Sequence, residues 1–259
     1  NRLMMLDIIA NNHWELPLYF SGGRFGDDDY LWMKDYLQLD GMAYKLVPIY
    51  TPVSPRSPLD MGRIDTEKMY DIVMGWDWGN SGDTTIYHDP ETRKNSISYR
   101  SNLARLSEAL IEEGKLQKAE EVLDLAMENM PVDYYGYYSL VEPYVDGYYQ
   151  VGDLEKARNL WEKLAQKYQE QILWYSTFSL EDQYKYGNNI ISDIERYRSL
   201  IDLLLIHQDE QIIEEKAAEF NEYLTLFEHF YRSPETPDIE PETQEDILLQ
   251  EATEQVDMQ

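Results

Sequence analysis

Residues 112–131, EEGKLQKAEEVLDLAMENMP, and residues 149–168, YQVGDLEKARNLWEKLAQKY, carry one pattern twice. In the first, Gly114 is followed by Ala119, Leu123 and Ala126. In the second, Gly152 is followed at the same offsets by Ala157, Trp161 and Leu164. Upstream, Leu103, Leu106, Ser107 and Leu110 correspond to Val141, Tyr144, Val145 and Tyr148. Apolar and small residues three and four apart form a stripe along one side of a helix. A glycine between two such stretches is a helix stop. The pattern therefore predicts two amphipathic helices joined at a glycine turn, made twice at a spacing of 38 residues.

One such pair cannot bury its apolar face alone, so pairs of this kind stack and a third is expected. Ile190, Ile191, Ile194, Tyr197, Ile201 and Leu204 recur at helical spacing, as do Ile213, Ala217, Phe220, Leu224 and Phe227. They lack the glycine and alanine of the other copies and predict a degenerate or capping pair. The spacing resembles the tetratricopeptide repeat, whose period is about 34 residues, with the surplus placed in VDYYGY at residues 132–137. Copy two departs from that pattern. Pro143 must begin or kink its first helix, and Gln169 replaces the terminal proline.

The first hundred residues read differently. RLMMLDIIANN is helical; LPLYFS and GMAYKLVPIY are short aromatic-rich runs bounded by Pro and Gly, as strands are. DDDYLWMKDYLQL and TEKMYDIVM read as helices, the second capped by Asp65, and the proline-rich TPVSPRSP as an extended loop. The expected fold class is α+β: a small α/β unit over residues 1–95, followed by an all-α tetratricopeptide-like array over 96–232. Within the array the pairs are expected at 96–133, 137–170 and 188–231. Residues 233–259 hold nine acids, three prolines and no base, and read as an acidic tail that could contribute a short docked helix.

Composition excludes several classes. A net charge of −28 on 259 residues repels phosphate backbones, so nucleic acid is not an expected partner. The chain has no cysteine, hence no disulfide, thiolate metal site or cysteine nucleophile. No apolar run approaches the roughly 20 residues that span a bilayer. Asn1 opens on an apparent helix without an initiator Met, which is expected of a fragment of something longer.

MMLDIIANNHWELPLYF, YLQLDGMAYKLVPI, KMYDIVM and YRSNLARLSEALIEEGKLQKAEEVLD together resemble the soluble C-terminal region of a family of bacterial polytopic membrane proteins. That family is similar to protein O-mannosyltransferases, which are GT-C type glycosyltransferases. The resemblance covers residues 1–170. It implies a membrane domain before Asn1 that holds the catalytic acid, so no residue here inherits a catalytic role. It also implies an accessory domain on the periplasmic face of the membrane, with an acceptor protein or peptide as partner and a glycan as another.

Candidate sites follow from register. In the repeat, the first helices face a concave groove, lined here by Ala104, Glu108, Ile111 and Glu112 from copy one and Glu142, Asp146, Tyr149 and Gln150 from copy two. Tyrosines and carboxylates suit a polar or basic peptide or a glycan; a solvated groove without ligand is the competing reading. In GWDWGNSGD, Trp76 and Trp78 flanking Asp77 offer rings for a sugar and a carboxylate for its hydroxyls, against the alternative that both indoles are packing residues. Asp27, Asp28 and Asp29 read as a helix cap sooner than a cation site, lacking the spacing of a calcium loop. The four histidines show no metal-ligand spacing, so neither metal nor cofactor is expected. No nucleophile elbow, P-loop or dinucleotide fingerprint is present. Two further readings stay open: a stand-alone carbohydrate-binding helical-repeat protein of the bacterial envelope, and, more weakly, an acid-pair hydrolase.

Overall fold

The computed structural model describes residues 2–21, 30–53 and 61–232. The Asp27–Asp29 run, the acidic tail and most of TPVSPRSP lie outside the described residues. The chain forms two compact units, one of residues 1–87 with 95–134, the other of residues 88–94 with 135–259.

In the first unit, α1 (Arg2–Asn12) buries none of its side chains. β1 (Tyr19–Ser21), β2 (Leu37–Asp40), β3 (Ala43–Leu46) and β4 (Arg63–Ile64) form a sheet in the order β1-β3-β2-β4. Its pairs are antiparallel except the parallel β2–β4 pair. The helix expected through DDDYLWMKDYLQL is a correction: Leu31–Tyr36 is a 3-10 turn, and Leu37–Asp40 is the strand β2 between β3 and β4. Pairing with β3 and β4, and the burial of Leu37 and Leu39 at i, i+2, prevail over local helix propensity there.

All four residues of β2 are buried, so its two polar side chains require partners. Arg63 Nη1 donates to Gln38 Oε1 at 2.5 Å, Gln38 Nε2 to Asp40 Oδ1 at 2.8 Å and Tyr19 OH to Asp40 Oδ2 at 3.0 Å. Lys68, on α2 (Thr66–Met74), is ion-paired with the same carboxylate. Burial pushes the Asp40 carboxyl up, but the bonds from Lys68, Gln38 and Tyr19 outweigh it and hold it below the usual range. Asp65 caps α2 as expected, its Oδ1 accepting from Lys68 N at 3.3 Å.

After α3 (Pro90–Lys94), which belongs to the second unit, α4 (Ser96–Glu112) and α5 (Leu116–Asn129) make the first helix pair. This pair is part of the first unit, whereas the sequence placed a boundary near Asn95. Polar contacts explain the grouping. Asn102 Nδ2 donates to Gly41 O at 2.9 Å, and Arg105 reaches Met61 O and Gly62 O at 2.9 and 2.8 Å. Glu67 is held to about pKa 2 by bonds from Lys115 and then Lys118.

In the surplus segment, α6 (Val132–Tyr135) is followed by Tyr137 in the left-handed region and a 3-10 turn, Tyr138–Leu140. Then come α7 (Glu142–Val151), α8 (Leu154–Ser176), α9 (Leu180–Lys185), α10 (Gly187–Ile206), α11 (Ile213–Thr225) and α12 (Glu228–Arg232). Pro143 begins α7, where its missing N–H costs nothing. With no proline at 169, α8 continues to Ser176. Within the second unit α7 packs on α8, α8 on α10 and α10 on α11.

The repeat register is visible in the burial. Leu103, Leu106, Ser107, Leu110, Ala119, Leu123 and Ala126 are buried, and so are their counterparts from Val141 to Leu164. Both turns close the same way: Lys115 N donates to Leu110 O at 2.8 Å and Asp153 N to Tyr148 O at 3.0 Å, with Gly114 at φ +73 and Gly152 at φ +89. That backbone bond needs a left-handed residue, which glycine supplies without strain. The third pair keeps the closure without the glycine. Asp209 N donates to Leu204 O at 2.9 Å around Gln208 at φ +53.

Candidate functional site on α7 and the tryptophan loop

The four copy-one positions lie on α4. Ala104 is buried, Ile111 half-buried, and Glu108 and Glu112 are exposed. The four copy-two positions lie on α7 in the other unit, and there the side chains are engaged. Ser199 Oγ of α10 donates to Glu142. Asp146 Oδ1 meets His207 Nε2 at 2.6 Å, and its Oδ2 accepts from Gln150 Nε2 at 2.6 Å. Tyr149 is 7% exposed, stacked on His207 with centroids 4.7 Å apart, and its hydroxyl donates to Asp209 Oδ2 at 2.8 Å. Of the eight groove positions, Ala104 and Tyr149 are thus interior residues, while Gln150, Glu108 and Glu112 present exposed polar ends.

Electrostatics on this face are set by burial and by Arg158. Glu142 is pushed above the ordinary carboxyl range chiefly by burial, with Asp146 and Asp202 adding to the rise and Ser199 opposing it. Asp209 is held below that range, first by Arg158, whose Nε and Nη2 donate to its two oxygens at 2.8 and 2.7 Å. Burial and the Asp209 carboxylate raise the Tyr149 phenol. Arg158, Ser199, His207 and Asp209 carry this geometry and none stands out in the sequence. They lie 51 to 61 residues from their partners, and HQDEQ reads as an ordinary polar turn.

The tryptophan loop follows α2. Trp76, Trp78 and Tyr99 of α4 form a mutual cluster with ring centroids 5.3 to 5.5 Å apart. Gly41 lies against Trp76 and Ile72, so close that a Cβ on it would stand 2.9 Å from the Trp76 ring. Asp77 is exposed and its Oδ1 accepts from Gly79 N at 2.9 Å, closing a local turn. Both indoles are half-buried, and Trp78 Nε1 has no partner among the described residues. The rings contact one another, and Trp76 also meets the β2–β3 turn.

Among the described residues no group of three or more His, Asp or Glu is placed to hold a metal ion, and no helix is long and apolar enough to cross a membrane.

The fold and these sites define a mostly helical chain with a small mixed sheet and glycine-turned helix pairs. Residues 1–68 match the family model of TMEM260-associated domain 2, which fits a domain associated with a membrane protein. Neither curated proteins nor solved structures give a match.

Proposed function

We propose that this chain is a non-catalytic accessory domain of a membrane-bound glycosyltransferase resembling protein O-mannosyltransferases, holding an acceptor protein near a catalytic centre in a separate membrane domain. The observation that carries this reading is the match of residues 1–68 to a domain named for its association with a membrane protein, followed in sequence by helix pairs. Faces of stacked helix pairs are recurrent protein-binding surfaces. On α4 the exposed carboxylates Glu108 and Glu112 suit a basic segment, and on α7 the exposed amide of Gln150 suits a polar one. The bacterial periplasmic face is the site of action in this reading.

The test is kinetic. In the whole enzyme, replacing the exposed Glu108, Glu112 and Gln150 by alanine raises the acceptor KM and leaves kcat on a short acceptor peptide unchanged, because binding away from the reacting atoms is lost. Unchanged KM and specificity would refute the role. A second reading, a stand-alone carbohydrate-binding protein of the bacterial envelope, is favoured by one observation, the three-ring cluster beside exposed Asp77 with Trp78 Nε1 unpaired. Glycan binding by the isolated chain, lost on Trp78→Ala, would support it.

A further inference from the structure

Side chains from α10 and the turn after it meet the α7 face at a joint built of carboxylates, a serine and a histidine. Glu142 and Asp146 are one turn apart on α7. Ser199, Asp202 and Arg196 approach Glu142 from α10, and Arg196 is itself paired with Asp193 at 3.2 Å. His207, at the end of α10, meets Asp146 at 2.6 Å while its ring lies nearly parallel to Tyr149. From α8 come Arg158, committed to Asp209, and Lys156, which lies over the Tyr148 ring.

We propose that this joint tightens on acidification: proton uptake by Glu142 and His207, set on either side of Asp146, draws the end of α10 and its following turn onto α7. The chemistry is one-directional. At high pH three carboxylates, Glu142, Asp146 and Asp202, face one another across the joint, and His207 offers Asp146 a neutral hydrogen bond. A proton on Glu142 removes one negative charge and leaves its other oxygen to accept from Ser199. A proton on His207 turns its bond to Asp146 into a charge-assisted one, which is shorter and stronger than a neutral pair. The sign follows from the raised Glu142 carboxyl. Its contribution to stability is fully present below the unfolded-state value of about 4.3 and is lost as pH rises through the higher folded-state value. The turn over this joint carries Gln208 in a left-handed conformation, so it is the strained connection that loosens when the contacts weaken.

The test reads the turn itself. Amide exchange at Gln208 and Asp209, corrected for the intrinsic effect of pH, is measured from about pH 5.5 to about pH 8 on the intact chain. Protection is expected to fall roughly tenfold across that range, while amides in the middle of α8 keep theirs. Glu142→Gln, a near-isostere that is neutral throughout, is expected to hold protection at the upper end and flatten the profile; His207→Gln removes the remaining slope. Flat protection in the unaltered chain would overturn the proposal. So would a parallel change in α8, which would report the net charge of −28 instead of the joint, or a slope that Glu142→Gln leaves unchanged.

Discussion

Replacing Asp209 by alanine removes the acceptor that ties three helices together. Asp209 is 6% exposed and receives two bonds from Arg158 of α8 and one from Tyr149 of α7, while its own backbone closes the turn after α10. Removing one partner of a buried ion pair costs about 3–5 kcal/mol. The Arg158 side chain is 28% exposed and regains water, which places its share at the low end. The Tyr149 hydroxyl is left buried and unpaired, adding about 1–3 kcal/mol. The expected loss is about 4–6 kcal/mol, a large part of the 5–15 kcal/mol typical of domains. Urea unfolding followed by circular dichroism and by tryptophan fluorescence measures it, with coincident transitions required before a single free energy is assigned. A double-mutant cycle with Arg158→Ala should return a coupling of at least ~1 kcal/mol. A loss below about 0.5 kcal/mol for Asp209→Ala would show that the turn is held by apolar packing and that the Arg158–Asp209–Tyr149 network is ornamental.

The turn residues give a second pair of expectations. Gln208→Gly relieves a left-handed side-chain residue and should stabilise by about 0.5–1 kcal/mol, whereas Gly152→Ala, at φ +89, should destabilise by about 1–2 kcal/mol. Opposite signs in thermal melts confirm that the third turn is a glycine turn without its glycine. In the first unit, Gly41→Ala combines φ +67 with a Cβ 2.9 Å from the Trp76 ring and should cost about 2–3 kcal/mol. Trp76→Leu, which opens that space, should recover part of the loss in the double variant.

How much of this was legible in the sequence depends on how far apart the interacting residues lie. The doubled phrase located the turns at Gly114 and Gly152 and the buried stripes, because helix periodicity and turn chemistry are local. Asp65 as a cap and Pro143 as a helix start were readable for the same reason. β2 was not: Leu37–Asp40 is followed by Asp40-Gly41, a turn signal, but its strand identity rests on β3 and on β4, a two-residue strand 23 residues beyond β2. Tyr149 was placed on an open groove by repeat register and is buried, because the residue that takes its hydroxyl, Asp209, lies 60 positions away. The third turn was missed as a turn because the signal sought was glycine, and Gln208 fills that position at a modest conformational cost.

The most direct measurement is photocrosslinking during glycosylation. A photoreactive residue at Gln150, and another at Glu108, is placed in the whole enzyme turning over an acceptor protein. Acceptor-dependent adducts at these exposed polar positions, competed by excess acceptor and absent from a control at exposed Tyr87, are the expected result. Turnover of a sugar donor by the purified 259-residue chain alone, with no adduct at either position, would contradict it.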